Sequence, residues 1–354
     1  MSYQHFTGTK PVAEQHAFDE KALARYIREH VEDFAGDLVV EQFKGGQSNP
    51  TFLVKAGQKQ FVLRRKPLGQ LLPSAHAVDR EFKVIKALAN TDVPVAKAHV
   101  LCMDDDVIGS AFYLMDFVPG RILWDPSLPE IHSQQERQAI YAEMNRVIAA
   151  LHSVDPTQIG LGGFGRTGGY FARQIERWTK QYRASETEHI EAMENLIKWL
   201  PEHIPDGDET RIVHGDYRLD NVIFHPTEPK ILAVLDWELS TLGHPLADFA
   251  YHCMAWRRRN QGERGLMDID IQSLGIPSES EYVRQYCQHT GRESIDPKIW
   301  EYYIVFNMFR LAGILQGVMS RALKGNASNA LALEAGKRAK PLAIQAWSLV
   351  EKLS

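Results

Sequence analysis

The stretch RIVHGDYRLDNVIF (residues 211–224), followed closely by KILAVLDWEL (residues 230–239), constrains this chain more than any other. Apolar residues bracket a core, HGDYRLDN, that holds two aspartates, an arginine and an asparagine. A plain β-turn uses only one or two such residues. The second apolar run then ends on a further aspartate, Asp236. Asp216 and Asn221 are five residues apart, and Asp236 lies fifteen beyond Asn221. Read as strand, turn and strand, the segment brings Asn221 and Asp236 together beside Asp216.

Phosphoryl transfer requires such a set. One carboxylate orients the attacking hydroxyl and accepts its proton, while an amide oxygen and a second carboxylate hold Mg²⁺ on the phosphates. Asp216 is the candidate for the first role, Asn221 and Asp236 for the second. The alternative is a polar hairpin with capping aspartates. Spacing and strand context instead fit the kinase pattern H-x-D-x-x-x-x-N. Asp220 is expected to hold the turn, Arg218 to support the loop or face substrate, and His214 to bond the loop backbone.

Around this stretch the chain changes character once. Leu23, Ile27 and Val31 give residues 18–31 helical spacing. LVVEQF, TFLVKA and QFVLRRK then read as short strands, the last two a hairpin around Gly57. Residues 76–90 return to a helix with Val78, Phe82, Ile85 and Leu88 as its stripe. VAKAHVLC and VIGSAFYLMDFV look like two more strands around the turn MDDD, and PGR at 119–121 ends the pattern. After it the chain is mostly helical, with Ile140, Met144, Val147, Ile148 and Leu151 on one face of a long helix. The expected fold class is α+β, with a small antiparallel β lobe carrying one inserted helix (residues 1–118) and a larger α-helical lobe (119–354).

The first lobe supplies candidate phosphate contacts. KGGQSNP sits between two strands, where Gly45 and Gly46 allow close backbone approach and Ser48 and Asn49 offer donors. An ordinary glycine hairpin turn is the alternative. In FVLRRK, strand alternation puts Val62 and Arg64 on one face, the spacing at which kinases carry their phosphate lysine. Arg64 therefore takes that position, with Arg65 or Lys66 as the choice in another register, and a solvated strand end as the reading without function. Glu81 edges the apolar face of its helix and is the candidate partner for Arg64, against an exposed partner for Lys83. In YLMDFVPG, backbone groups from Met115 to Phe117 are candidates for the purine edge. One decoy, GLGGFG at 160–165, fits G-x-G-x-x-G but follows a helix rather than a strand, so it reads as a loop.

HGD at 214–216 with Asn221, DWE at 236–238 and GHPLADFA at 243–250 together resemble the aminoglycoside phosphotransferase and choline kinase-like family, distant relatives of the protein kinases. Within it, GGQSNPTF, LRRKPLGQLLPSAHAVDREF and LDWELSTLGHPLADFAYHCMAW look like the phosphotransferase-like domain fused to acyl-CoA dehydrogenases. The resemblance covers about residues 38–255 and implies a protein-kinase-like two-lobe fold. It also implies an ATP- and Mg²⁺-dependent kinase acting on a small-molecule hydroxyl, with GTP left open and Asp248 bracing the loop. A hydroxyacyl-CoA is the implied acceptor, with aminoglycosides or choline-like amino alcohols as alternatives. A catalytically inactive nucleotide-binding module is the reading from another class, against which the complete set Asp216, Asn221 and Asp236 argues. Arg218, Glu238, Arg257 and Arg258 are candidate substrate contacts. The arginine run suits an acceptor that carries phosphates, while a solvated loop is its ordinary reading.

Bulk numbers set the limits. Forty Lys and Arg against 45 Asp and Glu give a net charge of −5, which argues against a broad nucleic-acid surface. Cys102, Cys253 and Cys287 are too dispersed for a zinc site or disulfide framework, so a cytoplasmic protein is expected. The N-terminus shows no signal-peptide pattern, and the apolar stretch 302–319 contains Asn307, Arg310 and Gln316, reading as a buried helix rather than a membrane span. Nothing in the sequence speaks to oligomeric state.

Overall fold

The computed structural model describes residues 8–32, 34, 36–44, 49–68, 77–260, 264–325 and 332–353. Its contacts divide the chain into two compact units. The first holds the described residues up to Trp124, together with Thr157–Leu161 and Arg218–Ser240; the second holds the remainder.

In the first unit the chain runs through β1 (Thr9–Lys10), α1 (Glu20–His30), β2 (Leu38–Phe43), β3 (Thr51–Ala56), β4 (Lys59–Arg65), α2 (Val78–Leu88), β5 (Ala98–Cys102), α3 (Asp105–Ile108) and β6 (Phe112–Asp116). The strands form one antiparallel sheet in the order β1-β2-β3-β4-β6-β5. Asp19 starts α1 by accepting from the Lys21 and Ala22 N–H groups, and Leu23 and Ile27 bury against Phe52, Val54, Leu63, Phe112 and Leu114. The α2 stripe is buried as its spacing requires, and Glu81 is buried with it.

The strand expected to begin at Val107 begins at Phe112 instead. Asp104 caps a single helical turn by accepting from the Asp106 N–H, and Gly109, at φ +88°, ends it. Three successive aspartates thus act as a helix start rather than a hairpin turn.

The chain continues through α4 (Gln134–Ser153), α5 (Tyr170–Ser185), α6 (Glu191–Glu202) and β7 (Arg211–Val213) in the second unit. It then returns to the first unit as the hairpin β8 (Val222–Phe224) and β9 (Ile231–Val234). The contacts therefore do not follow a single cut at residue 118. Backbone bonds explain the return: Val234 N–H donates to Pro94 C=O at 2.9 Å, and Arg121 and Phe224 exchange two bonds of 2.9 Å. A Cβ on Gly120 would lie 2.3 Å from both Ile223 Cγ2 and the Phe224 carbonyl, so only glycine permits this approach.

The second unit resumes with β10 (Thr241–Gly243), α7 (Pro245–Cys253), α8 (Ile271–Leu274), α9 (Glu279–Thr290), α10 (Pro297–Leu323), α11 (Ala332–Gly336) and α12 (Ala339–Leu353). The α4 face expected to be apolar is fully buried. α10 is long and apolar enough to cross a membrane, yet 72% of its most apolar window is buried inside the protein. β7 and β10 pair antiparallel, Val213 opposite Thr241 and Arg211 opposite Gly243. That pairing sets the start of α7 beside the loop that leaves β7.

Candidate active site

In the second unit, the loop after β7 is held from within. The buried Asp248 of α7 accepts from the His214 N–H at 2.7 Å and from the Gly215 N–H at 2.8 Å. Burial pushes the Asp248 pKa up. The His152 hydrogen bond and charge, His214 and the backbone N–H outweigh this and hold it below the ordinary carboxylate range. His152 lies 3.3 Å from Asp248 and is fixed on its other ring nitrogen by the Tyr286 hydroxyl at 2.8 Å. Gly215 adopts φ +86°, a left-handed turn that favours glycine. His214 accepts from the Asp216 N–H through Nδ1 at 3.2 Å, a loop-backbone role as expected. Arg310 of α10 donates to the Gly215 carbonyl at 2.9 Å. Asp216 is half-buried, and the Tyr251 hydroxyl donates to its Oδ1 at 2.8 Å.

In the first unit, Arg64 stands at the centre of an acidic group. Its Nε lies 2.8 Å from Glu81, its Nη2 donates to Asp236 at 2.6 Å, and Glu238 is 3.7 Å away. Burial works against the Arg64 charge, but Glu81 first, then Tyr113, Asp236 and Glu238, raise its pKa. Glu81 is 1% exposed and also accepts from Asn49 at 2.8 Å and from the Tyr113 hydroxyl at 3.0 Å. Burial pushes the Glu81 pKa up to about 7 against the pull of Arg64, with Asp236 adding to the rise. Arg65, on the opposite face of β4, is buried over Phe18 and Phe52 and donates to the Ile108 carbonyl. Of the basic residues considered for this position, Arg64 is the one beside Glu81.

Asn221 and Asp236 flank the open end of the β8–β9 hairpin, where the Leu235 N–H donates to the Asn221 carbonyl at 2.8 Å. Asp236 has φ +62°, a left-handed conformation that aspartate adopts more readily than most residues other than glycine. Trp237, buried, pins the turn by donating to the Val234 carbonyl at 3.0 Å. An amide and a carboxylate form a hard-oxygen donor pair of the kind Mg²⁺ takes, so these residues fit that ion.

The other expected site residues are redistributed. Gly45, Gly46 and Ser48 lie outside the described residues. Asn49 is 1% exposed, and from just before β3 its side-chain amide donates to Glu81 of α2. Met115 pairs with both Val62 and Ala98 inside the sheet, and Phe117 N–H donates to Gln60 at 3.1 Å. The Met115 pairings and the Phe117 N–H are thus spent on the ladder rather than left for a purine edge. The Phe117 ring instead lies near-parallel to Phe43, centroids 6.5 Å apart. Arg218 pairs with Asp220 at 2.8 Å, and Glu238 belongs to the Arg64 group. Arg257 is bound by Glu279 and Glu301, which makes it a structural ion pair rather than a substrate anchor. Arg258 and Arg259 line a cavity of about 360 Å³ with Arg338, Leu311, Leu315 and Leu342. Tyr251, Arg310 and Tyr113 were not legible as site residues. Tyr251 has one signal, since it sits three residues after Asp248 on a helix that starts at Pro245.

An antiparallel sheet with a strand cation paired to a helix glutamate, an HGD loop braced from a following helix, and an aspartate at the end of a hairpin strand define a protein-kinase-like phosphotransferase. The comparisons agree. The chain belongs to the phosphotransferase enzyme family (APH), whose model matches residues 39–286. It is 48% identical over 347 residues to acyl-CoA dehydrogenase family member 10 of Mus musculus, covering 97% of this chain and 32% of that protein. The chain thus spans about a third of that relative's length. Among solved structures, a Ralstonia eutropha protein described as a candidate aminoglycoside phosphotransferase matches with TM-score 0.88 and 57% identity, over 95% of this chain and 99% of that one. Choline kinase of Cryptosporidium parvum shares the fold, with TM-score 0.66 and 13% identity over 94% and 97% of the two chains. So does a thermostable variant of aminoglycoside phosphotransferase APH(4)-Ia in complex with AMP-PNP and hygromycin B, with TM-score 0.58 and 17% identity over 93% and 98%.

Proposed function

We propose that this chain is an ATP-dependent small-molecule kinase that phosphorylates a hydroxyl group. The observation that carries the reading is Arg64, which joins the buried Glu81 to Asp236 and so sets a fixed cation beside a metal-type carboxylate. Asp216 takes the proton of the acceptor hydroxyl, whose oxygen attacks the γ-phosphorus. The bond from that phosphorus to the β-phosphate oxygen breaks, and ADP leaves. Arg64 forks onto phosphate oxygens, and Glu81 keeps it in place. Asn221 and Asp236 would hold Mg²⁺, which when bound would neutralise phosphate charge. The AMP-PNP complex of the APH(4)-Ia variant supports ATP as the donor. The near-parallel rings of Phe43 and Phe117 are the aromatic surface we assign to the base.

For the acceptor we propose a hydroxyacyl-CoA. The kinship with an acyl-CoA dehydrogenase family member supports it. So does the cavity that Arg258, Arg259 and Arg338 line together with leucines, a lining suited to an anionic, partly apolar molecule. Cationic aminoglycosides and choline call for acidic pockets instead.

The test is Mg²⁺-dependent ADP release with a panel of hydroxyacyl-CoAs and amino alcohols. Asp216→Asn is expected to lower turnover by about a hundredfold or more. A wild-type rate in that variant overturns the mechanism. Nucleotide binding without magnesium-dependent turnover of any acceptor overturns the enzyme reading in favour of a binding module. Turnover of amino alcohols alone overturns the acyl-CoA assignment.

A further inference from the structure

We infer that Tyr251, clamped by Arg310, is a positioning residue for the Asp216 carboxylate; the inference rests on the reading of Asp216 as the group that takes the proton. The terminal torsion of an aspartate is broad and close to two-fold, so a carboxylate that must meet a hydroxyl at one angle needs an external partner to fix it. The Tyr251 hydroxyl is such a partner, donating to Asp216 Oδ1 at 2.8 Å. Tyr251 thereby sets the angle at which the carboxylate meets the acceptor hydroxyl.

Tyr251 is itself held. The Arg310 guanidinium lies 4.8 Å from the centre of the Tyr251 ring and 5.6 Å from that of Trp178. The same guanidinium donates to the Gly215 carbonyl at 2.9 Å, one residue before Asp216. Arg310 is 9% exposed, which places its charge out of bulk water and strengthens its attraction to the ring face. A cation over the ring also makes the phenol a stronger donor. One side chain of α10 therefore fixes both the backbone ahead of Asp216 and the tyrosine that aims its carboxylate. The arrangement draws on a loop, on α7 and on α10.

The experiment is steady-state ADP release from Mg·ATP, with 4-hydroxydecanoyl-CoA and, in parallel, with water as the acceptor. Wild type, Tyr251→Phe, Arg310→Lys and Asp216→Asn are compared, with melting curves for each. Tyr251→Phe is expected to lower kcat about ten- to a hundredfold, the worth of a hydrogen bond to a charged group, with the KM for ATP unchanged. A kcat within twofold of wild type overturns the inference. So does a KM for ATP that rises in step with the fall in kcat, since that marks general loosening. If Tyr251→Phe shows no folded melting transition, Arg310→Lys is read in the same way. It is expected to lower kcat with KM for ATP held, and an unchanged kcat overturns the inference. Asp216→Asn separates the two levels: an inactive Asp216→Asn beside a fully active Tyr251→Phe removes only the role of Tyr251. An active Asp216→Asn, or a wild type that releases no ADP with either acceptor, removes the underlying reading as well.

Discussion

Asp248 shows how much one buried carboxylate can organise. It accepts from two consecutive backbone N–H groups and faces His152, all with little water to substitute for a lost partner. Asp248→Asn retains one acceptor oxygen and turns an N–H donor toward a second N–H. The expected cost is about 1–3 kcal/mol, as for leaving a buried donor unsatisfied, read as a lower urea midpoint, together with loss of ADP release. Residues 216, 221 and 236 stand out in the sequence because phosphoryl transfer calls for those types at that spacing. Asn49 was not legible in its actual role. Its amide can serve a phosphate or a carboxylate equally well, and only the approach of α2 to the start of β3 selects Glu81. Arg64 and Arg65 were likewise distinguished by packing, since Arg65 is buried against aromatic rings while Arg64, partly buried, has carboxylates on its face.

α7 joins site and stability through two histidines. His244 precedes its first turn, and His252 lies in its last, near the Tyr282 hydroxyl at 2.9 Å. Burial pushes both pKa values down to about 4. A histidine kept neutral in the folded protein contributes stability that is complete above about pH 6.5 and is lost as pH falls through about 4. Each adds a slope of up to about 1.4 kcal/mol per pH unit in that window. His244→Asn with His252→Gln is expected to flatten the fall in urea midpoint between those pH values, relative to wild type. An equally steep fall contradicts the assignment. At this level the helices with a clear apolar period were legible, as the buried faces of α2 and α4 show. α3 was not, because four residues carry no period and the aspartates before it suit a turn and a helix cap alike.

The chain as a whole is assembled out of sequence order, with the β8–β9 hairpin counted among the contacts of the first unit. Gly120 is where that attachment is tightest. Gly120→Ala is expected to push the hairpin from Arg121, displacing Asp236 from Arg64, and to raise the Mg²⁺ concentration needed for half-maximal turnover about tenfold or more, the scale seen for loss of supporting contacts at metal sites. Unchanged magnesium dependence with a native melting curve argues against this coupling. Spacing along the chain determined most of the element types and the β-then-α order, and pointed to the phosphotransferase class and to candidate residues for its chemistry. Those properties are local, since a helix period, a strand alternation or a five-residue interval is complete within one segment. Folding alone decided which partners those residues keep: Arg64 reaches Asp236 across 172 positions, and Tyr251 reaches Asp216 across 35. No interval in a sequence encodes such a distance, because it arises from the packing of whole elements whose own patterns are indifferent to it.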